Sequence, residues 1–150
     1  MLGLDGRMGD NEAMSTPMRV AAAIVVNDAG RVLIGRRRPG LRSAGCWEFP
    51  GGKLEAGEAP PDAIVRELRE ELSIEVKPGE ELCRSIAVDE NIELICVWAT
   101  LVSAAPLRST DHDIFLWESP ESLPLSGWCA PDLEAVALLR RGATSPTTYT

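Results

Sequence analysis

Positive charge is what this chain is short of: 15 lysines and arginines stand against 23 aspartates and glutamates, a formal charge of −8. Polyanions are bound through positive surface, so the balance opposes a nucleic-acid polymer as partner. Long apolar runs are missing too. No stretch approaches the roughly 20 residues of a membrane span, and the opening segment MLGLDGRMGDNEAMSTP has no apolar signal core. These gaps predict a cytoplasmic protein without membrane contact. Four cysteines occur, but no two have the C-x-x-C spacing of a metal site, and Cys83 and Cys96 fall in apolar, strand-like stretches. Buried, reduced thiols are expected. Histidine occurs once, as His112, and there is no internal repeat or low-complexity tract.

What is present fits one small domain. At 150 residues and 45% hydrophobic composition the chain can bury a single core. Residues 1–17 and 142–150 are polar and are expected to be flexible tails around a domain at 18–141. Val20 to Val26 and Arg31 to Ile34 read as strands around the turn Asn27-Asp28-Ala29-Gly30, and Cys46 to Phe49 reads as a short strand before Pro50-Gly51-Gly52. Leu82 to Val88 and Ile92 to Val102 read as a hairpin turning at Asp89-Glu90-Asn91, with a further strand at Ile114 to Trp117. Pro131 to Arg141 carries Leu133, Val136, Ala137 and Arg140 at helical spacing, with Gly142 just past its end.

The segment GKLEAGEAPPDAIVRELREELSI, Gly52 to Ile74, carries the chemistry. With a helix from about Pro61, Glu67, Glu70 and Glu71 stand at i, i+3 and i+4 on one face, while Ile64, Leu68 and Leu72 form an adjoining apolar stripe. A charged helix can simply be solvated, with pairs such as Arg66–Glu70 along it. Three carboxylates on one face also suit a hard divalent cation, which removes their repulsion.

Written as G-x5-E-x7-R-E-U-x-E-E-x-G-U, with U a bulky aliphatic residue, the segment supplies Gly52, Glu58, Arg66, Glu67, Leu68, Glu70, Glu71 and Ile74. It resembles the Nudix box and departs from it at one position, Ser73 in place of glycine. That glycine closes the helix in a left-handed conformation, which suits Ser less well. The wider resemblance is to the MutT-type branch of the family. It runs from about Met18 to Arg141 and includes VAAAIVVNDAGRVLIGRRR, WEFPGGKLEAGE, Asp111-His112 and Ala130-Pro131-Asp132. It implies an α/β fold, an α/β/α sandwich around a mixed β-sheet with the box loop and helix at one edge.

The implied activity is Mg2+-dependent hydrolysis of a nucleoside triphosphate to monophosphate and pyrophosphate, with Mn2+ able to substitute. The partner is then a small nucleotide, and the protein a monomer or homodimer. By the same resemblance Glu67, Glu70, Glu71, the Gly51 carbonyl and Asp111 are the metal ligands, and Glu67 or Asp111 is the general base. Arg66 and Glu58 pair to hold the ligand carboxylates in place. Lys53 and Arg37 would meet phosphate or sugar. Glu48, Phe49 and Asp132 would hold the base, with Trp47 or Trp128 either stacking on it or lying in the core. His112 is either a proton acceptor or, as favoured here, a plain loop residue. A carboxylate at 132 accepts from an exocyclic amine, which favours CTP, dCTP or 5-methyl-dCTP over 8-oxo-dGTP. A non-catalytic nucleotide sensor is the alternative from another class; the retained acidic set argues against it.

Overall fold

The computed structural model describes residues 16–103 and 109–145. The expected tails, apart from 16–17 and 142–145, lie outside them. Among the described residues seven strands form one mixed sheet: β1 (Met18–Val26), β2 (Val32–Arg37), β3 (Trp47–Glu48), β4 (Gly51–Lys53), β5 (Glu75–Ala87), β6 (Ile92–Ser103) and β7 (His112–Glu118). β1 and β6 run parallel at its centre, paired from Met18↔Ile92 to Val26↔Thr100, and the other pairings are antiparallel. The free edge of β1 is shared: β2 pairs with it at Val26, and β4 at Val20, Ala21 and Ala22.

Alternation along β1 assigns each side of the sheet its helix. Ala21, Ala23 and Val25 point with Leu33, Ile95 and Val97 toward α1 (Pro60–Leu72), where Ile64, Leu68 and Leu72 are buried as their spacing predicts. Ala22 and Ile24 point with Val32, Ile34 and Trp98 toward α2 (Leu133–Arg140), where Val136 and Leu139 complete the second core. The result is the expected helix–sheet–helix sandwich. Ala143, just past α2, packs against this second core. Among the described residues no helix is long and apolar enough to cross a membrane.

α1 begins at Pro60-Pro61, where the missing N–H groups cost nothing. It ends at Ser73, which takes the left-handed conformation (φ 58°) with its N–H on the Arg69 carbonyl, while the Ile74 N–H reaches Leu68. The helix end is therefore kept rather than reshaped, and the strain falls on one serine. Ser73→Gly is expected to raise stability by about 1 kcal/mol, measured by urea unfolding; no gain would mean that the left-handed cap costs nothing here.

One expectation is corrected. Cys96 is a buried free thiol and Cys83 a half-buried one, but Cys46 and Cys129 form a disulfide across 83 residues, with Cα atoms 5.2 Å apart. The fold brings them together because β3 lies along the 127–129 segment, with Trp47 N–H donating to Gly127 and Cys129 N–H to Trp47.

Candidate active site

Arg66 organises the box. Its guanidinium meets Glu58 at 2.8 and 2.9 Å, Glu67 at 2.9 Å, Glu70 at 3.3 Å and the Lys53 carbonyl at 3.1 Å. The Arg66 hydrogen bonds, with the Glu55 N–H, hold the Glu58 carboxyl down to about 2, so it stays ionised at any working pH. Loop and helix are thereby locked together, as the resemblance implied for this pair.

Glu67 lies across from β4, its carboxylate against the backbone of Gly52, in the space a side chain at 52 would fill. Burial pushes its proton affinity up; Arg66 opposes this, and the charges of Glu71 and Glu70 add to it. That residual repulsion is what a divalent cation would relieve. Glu67, Glu71, Gly51 and Asp111 line one small cleft, together with Pro50, Ser109 and His112. The donor set is hard oxygen, suited to Mg2+ or Mn2+, so the residues present fit such an ion. Glu70 is turned to Arg66 instead and is 60% exposed.

A groove of about 400 Å³ continues from this cleft through Gly51, Asp111 and His112, lined also by Arg37, Arg42, Glu48, Gly52, Lys53, Glu90 and Pro131. His112 is not a plain loop residue. It opens β7, and its ring bridges Glu48 Oε2 (Nε2, 2.7 Å) and Ser109 Oγ (Nδ1, 3.0 Å). The Ser109 hydroxyl already accepts the Asp111 and His112 N–H groups, so its own hydrogen goes to Nδ1 and the Nε2 hydrogen to Glu48. Arg37 donates to the same Glu48 oxygen at 3.3 Å and to the Arg42 carbonyl at 2.8 Å. Lys53 is exposed at the groove.

Asp132 does not line the groove, although its neighbour Pro131 does; it is buried and accepts the Phe49 N–H at 3.1 Å. The Phe49 ring is not in the groove. It is 3% exposed and packs on Trp128 at 5.1 Å, so Phe49 serves the site through its backbone. Trp128 in turn donates to the Pro124 carbonyl and is core, as is Trp98; Trp47 packs against the same core while remaining half-buried. Glu48, Cys129 and Asp132 bring ligand-type atoms within 4.8 Å of one another. With the Cys129 sulfur in a disulfide there is no thiolate, and what remains is a pair of carboxylates. Sequence reasoning missed Ser109, Arg42 and Glu90: Ser109 meets Asp111 and His112 two and three residues on, the Arg42 carbonyl meets Arg37 five residues back, and only the fold puts Glu90 in the lining of the groove.

Burial, and then the charge of Glu48, raise the Asp132 carboxyl well above the usual range. A carboxyl whose pKa is raised by folding keeps its proton in the native state after the unfolded chain has lost it. Stability is therefore undiminished at low pH and falls as pH climbs from the ordinary carboxylate range toward the raised value. Asn at 132 keeps an acceptor for Phe49 and carries no charge. Asp132→Asn is expected to melt higher than the wild type, by a margin that widens from pH 4 to pH 8. A margin that is flat with pH would show that Asp132 has an ordinary pKa.

Comparison with known proteins follows the same lines. The NUDIX domain family matches residues 16–143. The chain is 38% identical to a CTP pyrophosphohydrolase of Escherichia coli (strain K12) over 127 residues, 82% of this chain and 93% of that protein. It is 44% identical to an 8-oxo-dGTP diphosphatase of the same strain over 57 residues, 38% and 44% of the two chains. Among solved structures it superposes on the MutT protein from Methanosarcina mazei Go1 with a TM-score of 0.70 (26% identity, 85% of this chain and 96% of that one). The E. coli ORF135 protein follows at 0.67 (30% identity, 85% and 94%).

Proposed function

This chain belongs to the Nudix hydrolase family, and from that premise we propose that it is a Mg2+-dependent nucleoside triphosphate pyrophosphohydrolase acting on the free nucleotide pool of the cytoplasm, with CTP, dCTP or 5-methyl-dCTP preferred. The observation that carries the reading is the cleft where Glu67, Glu71, Gly51 and Asp111 meet, continuous with a groove that offers Arg37 and Lys53 to a polyphosphate and Glu48 to what lies beyond it. A divalent cation held by Glu67, Glu70, Glu71, Asp111 and the Gly51 carbonyl would supply the positive charge that a triphosphate needs and lower the pKa of a nearby water. Glu67 or Asp111 takes that water's proton as a phosphoanhydride bond breaks and pyrophosphate leaves. Arg66 and Glu58 keep Glu67 in position. Lys53 meets a phosphate, and Arg37, steadied by Glu48 and the Arg42 carbonyl, meets phosphate or sugar.

Base choice rests on Asp132. As a carboxylate it accepts the N4 amine of cytosine, and the 38% identity to a CTP pyrophosphohydrolase points the same way. A second reading has an observation of its own: burial favours protonated Asp132, which donates to a base carbonyl and so suits 8-oxo-dGTP. A panel of canonical, oxidised and methylated nucleoside triphosphates with Mg2+, scored for pyrophosphate against orthophosphate, separates these outcomes. Pyrophosphate from dCTP is expected. Orthophosphate as the product would sink the reaction assignment, and a tenfold or greater preference for 8-oxo-dGTP would replace the cytosine reading with the second.

A further inference from the structure

We propose that His112 is a positioning residue for nucleotide binding: the hydrogen on its Nε2 holds the Glu48 carboxylate in the orientation that meets the substrate. The inference rests on the pyrophosphohydrolase reading above, in which Glu48 contacts the nucleotide, and deepens it by naming what aims that contact. Glu48 lines the groove, and its Oε2 accepts from His112 at 2.7 Å and from Arg37 at 3.3 Å. The imidazole is the closer donor. Its side chain is 9% exposed against 22% for Glu48, so the ring is walled in and the carboxylate is the member of the pair that a ligand reaches.

Separate features of the fold converge on that ring. β7 pairs with β2 through Gly35↔Phe115 and Arg36↔Ile114, then slips to Arg37↔His112, which leaves Asp113 as an extra residue held by Arg36 at 2.8 and 3.1 Å. Strict alternation would put residues 112 and 115 on opposite faces of the sheet. The bulge turns His112 onto the face of Phe115, and the two rings lie 5.3 Å apart. Glu48 on β3 and Phe115 on β7 flank the same residue of β2, Gly35, and a Cβ there would come within 2.8 Å of His112 Cδ2. Gly35 is not one of the glycines with positive φ, so its backbone does not call for glycine. The imidazole does, because it crosses β2 over this residue to reach Glu48. Ser109 fixes the last variable. Its hydroxyl already accepts two N–H groups, so Nδ1 accepts from it at 3.0 Å and the ring hydrogen stays on Nε2; the other tautomer would set lone pair against lone pair at Glu48.

His112 is the one histidine of the chain, so nitrogen NMR reads its ring without assignment. A hydrogen on Nε2 is expected, and an Nε2 without one overturns the proposal. Kinetics with Mg2+ and the nucleoside triphosphate that the wild type cleaves best read the rest. His112→Gln can place an amide N–H where Nε2 stood, whereas the shorter His112→Asn places its amide near Nδ1, out of reach of Glu48. The Asn variant is expected to raise KM on the order of tenfold with a much smaller fall in kcat, the size of one hydrogen bond to a charged acceptor, and the Gln variant to stay within about threefold of wild type. Because His112 acts through Glu48, the same His112→Asn change made in a Glu48→Ala protein should move KM by less than about twofold. A role confined to the fold would not vanish with Glu48. Three kinetic results overturn the proposal while leaving the reaction assignment intact: a wild-type KM in His112→Asn, equal damage in His112→Gln, or an undiminished rise in the Glu48→Ala background. A wild-type protein that cleaves no nucleoside triphosphate with Mg2+ removes the reading on which the proposal rests, and the proposal with it.

Discussion

Glu71→Gln is expected to lower kcat on the order of 10³-fold at saturating Mg2+ while leaving the fold intact, the loss seen when charge stabilisation of a developing oxyanion is withdrawn. Glu71 is exposed, lines the cleft with Glu67 and Asp111, and has no part in the apolar stripe of α1. Its removal costs the core nothing. Glu67→Gln should lose as much. Glu70→Gln should follow, because its 60% exposed side chain is free to leave Arg66 for the cleft. In the absence of metal the effect on stability has the opposite sign. The charge of Glu71 is one of the influences raising the Glu67 carboxyl, so neutralising Glu71 relieves repulsion and should raise the metal-free melting temperature. Pyrophosphate release and thermal melts with and without Mg2+ test both halves. A folded Glu71→Gln with near wild-type turnover would remove Glu71 from the metal ligands; a lower metal-free melting temperature would mean that the carboxylates do not repel.

Local signals carried most of the fold, and they failed where tertiary pairing alone decides. The β-branched run of β1 and the apolar stripe of α1, recurring every four residues, are periodic, and both elements form where that periodicity puts them. β4, Gly51–Lys53, is two glycines and a lysine, with no strand propensity; its pairing with Val20, Ala21 and Ala22 imposes the conformation. β5 begins at Glu75 rather than Leu82 because α1 ends directly before it, and Pro78-Gly79 is carried within the strand beside a register shift instead of ending it. α2 begins at Leu133, since Pro131 belongs to a tight turn at Ala130–Asp132. The box residues were legible because one helix and one loop set their spacing. The Glu48–His112 pair, the Cys46–Cys129 disulfide and the place of Glu90 in the groove lining join residues far apart in sequence or in separate elements, for which one sequence holds no local signal.

Gly51 and Gly52 are adjacent, yet substituting each by Ala is expected to damage different things. A Cβ at Gly52 would fall among the carboxylate atoms of Glu67, meeting Cδ and Oε1 and lying 2.7 Å from Oε2. These atoms are the far end of a flexible side chain, so the backbone can stay and the carboxylate gives way. The cost lands on chemistry. A displaced Glu67 should lower kcat on the order of 10²-fold or more, as a 1 Å misplacement at a reacting centre does, and raise the Mg2+ concentration needed for half-maximal rate. Unfolding free energy should shift by no more than about 1 kcal/mol. A Cβ at Gly51 would instead run into the Ala21 carbonyl and come within 2.8 Å of the Ala22 Cα. Those atoms are backbone of the central strand, paired with β6 along its length, and cannot move aside. β4 would have to give up its pairing with β1, at a cost of roughly 2–4 kcal/mol in stability. Urea unfolding and turnover measured on both variants test the contrast. A Gly52→Ala protein with normal turnover and normal Mg2+ dependence would show that the position of Glu67 against β4 is not what the reaction requires.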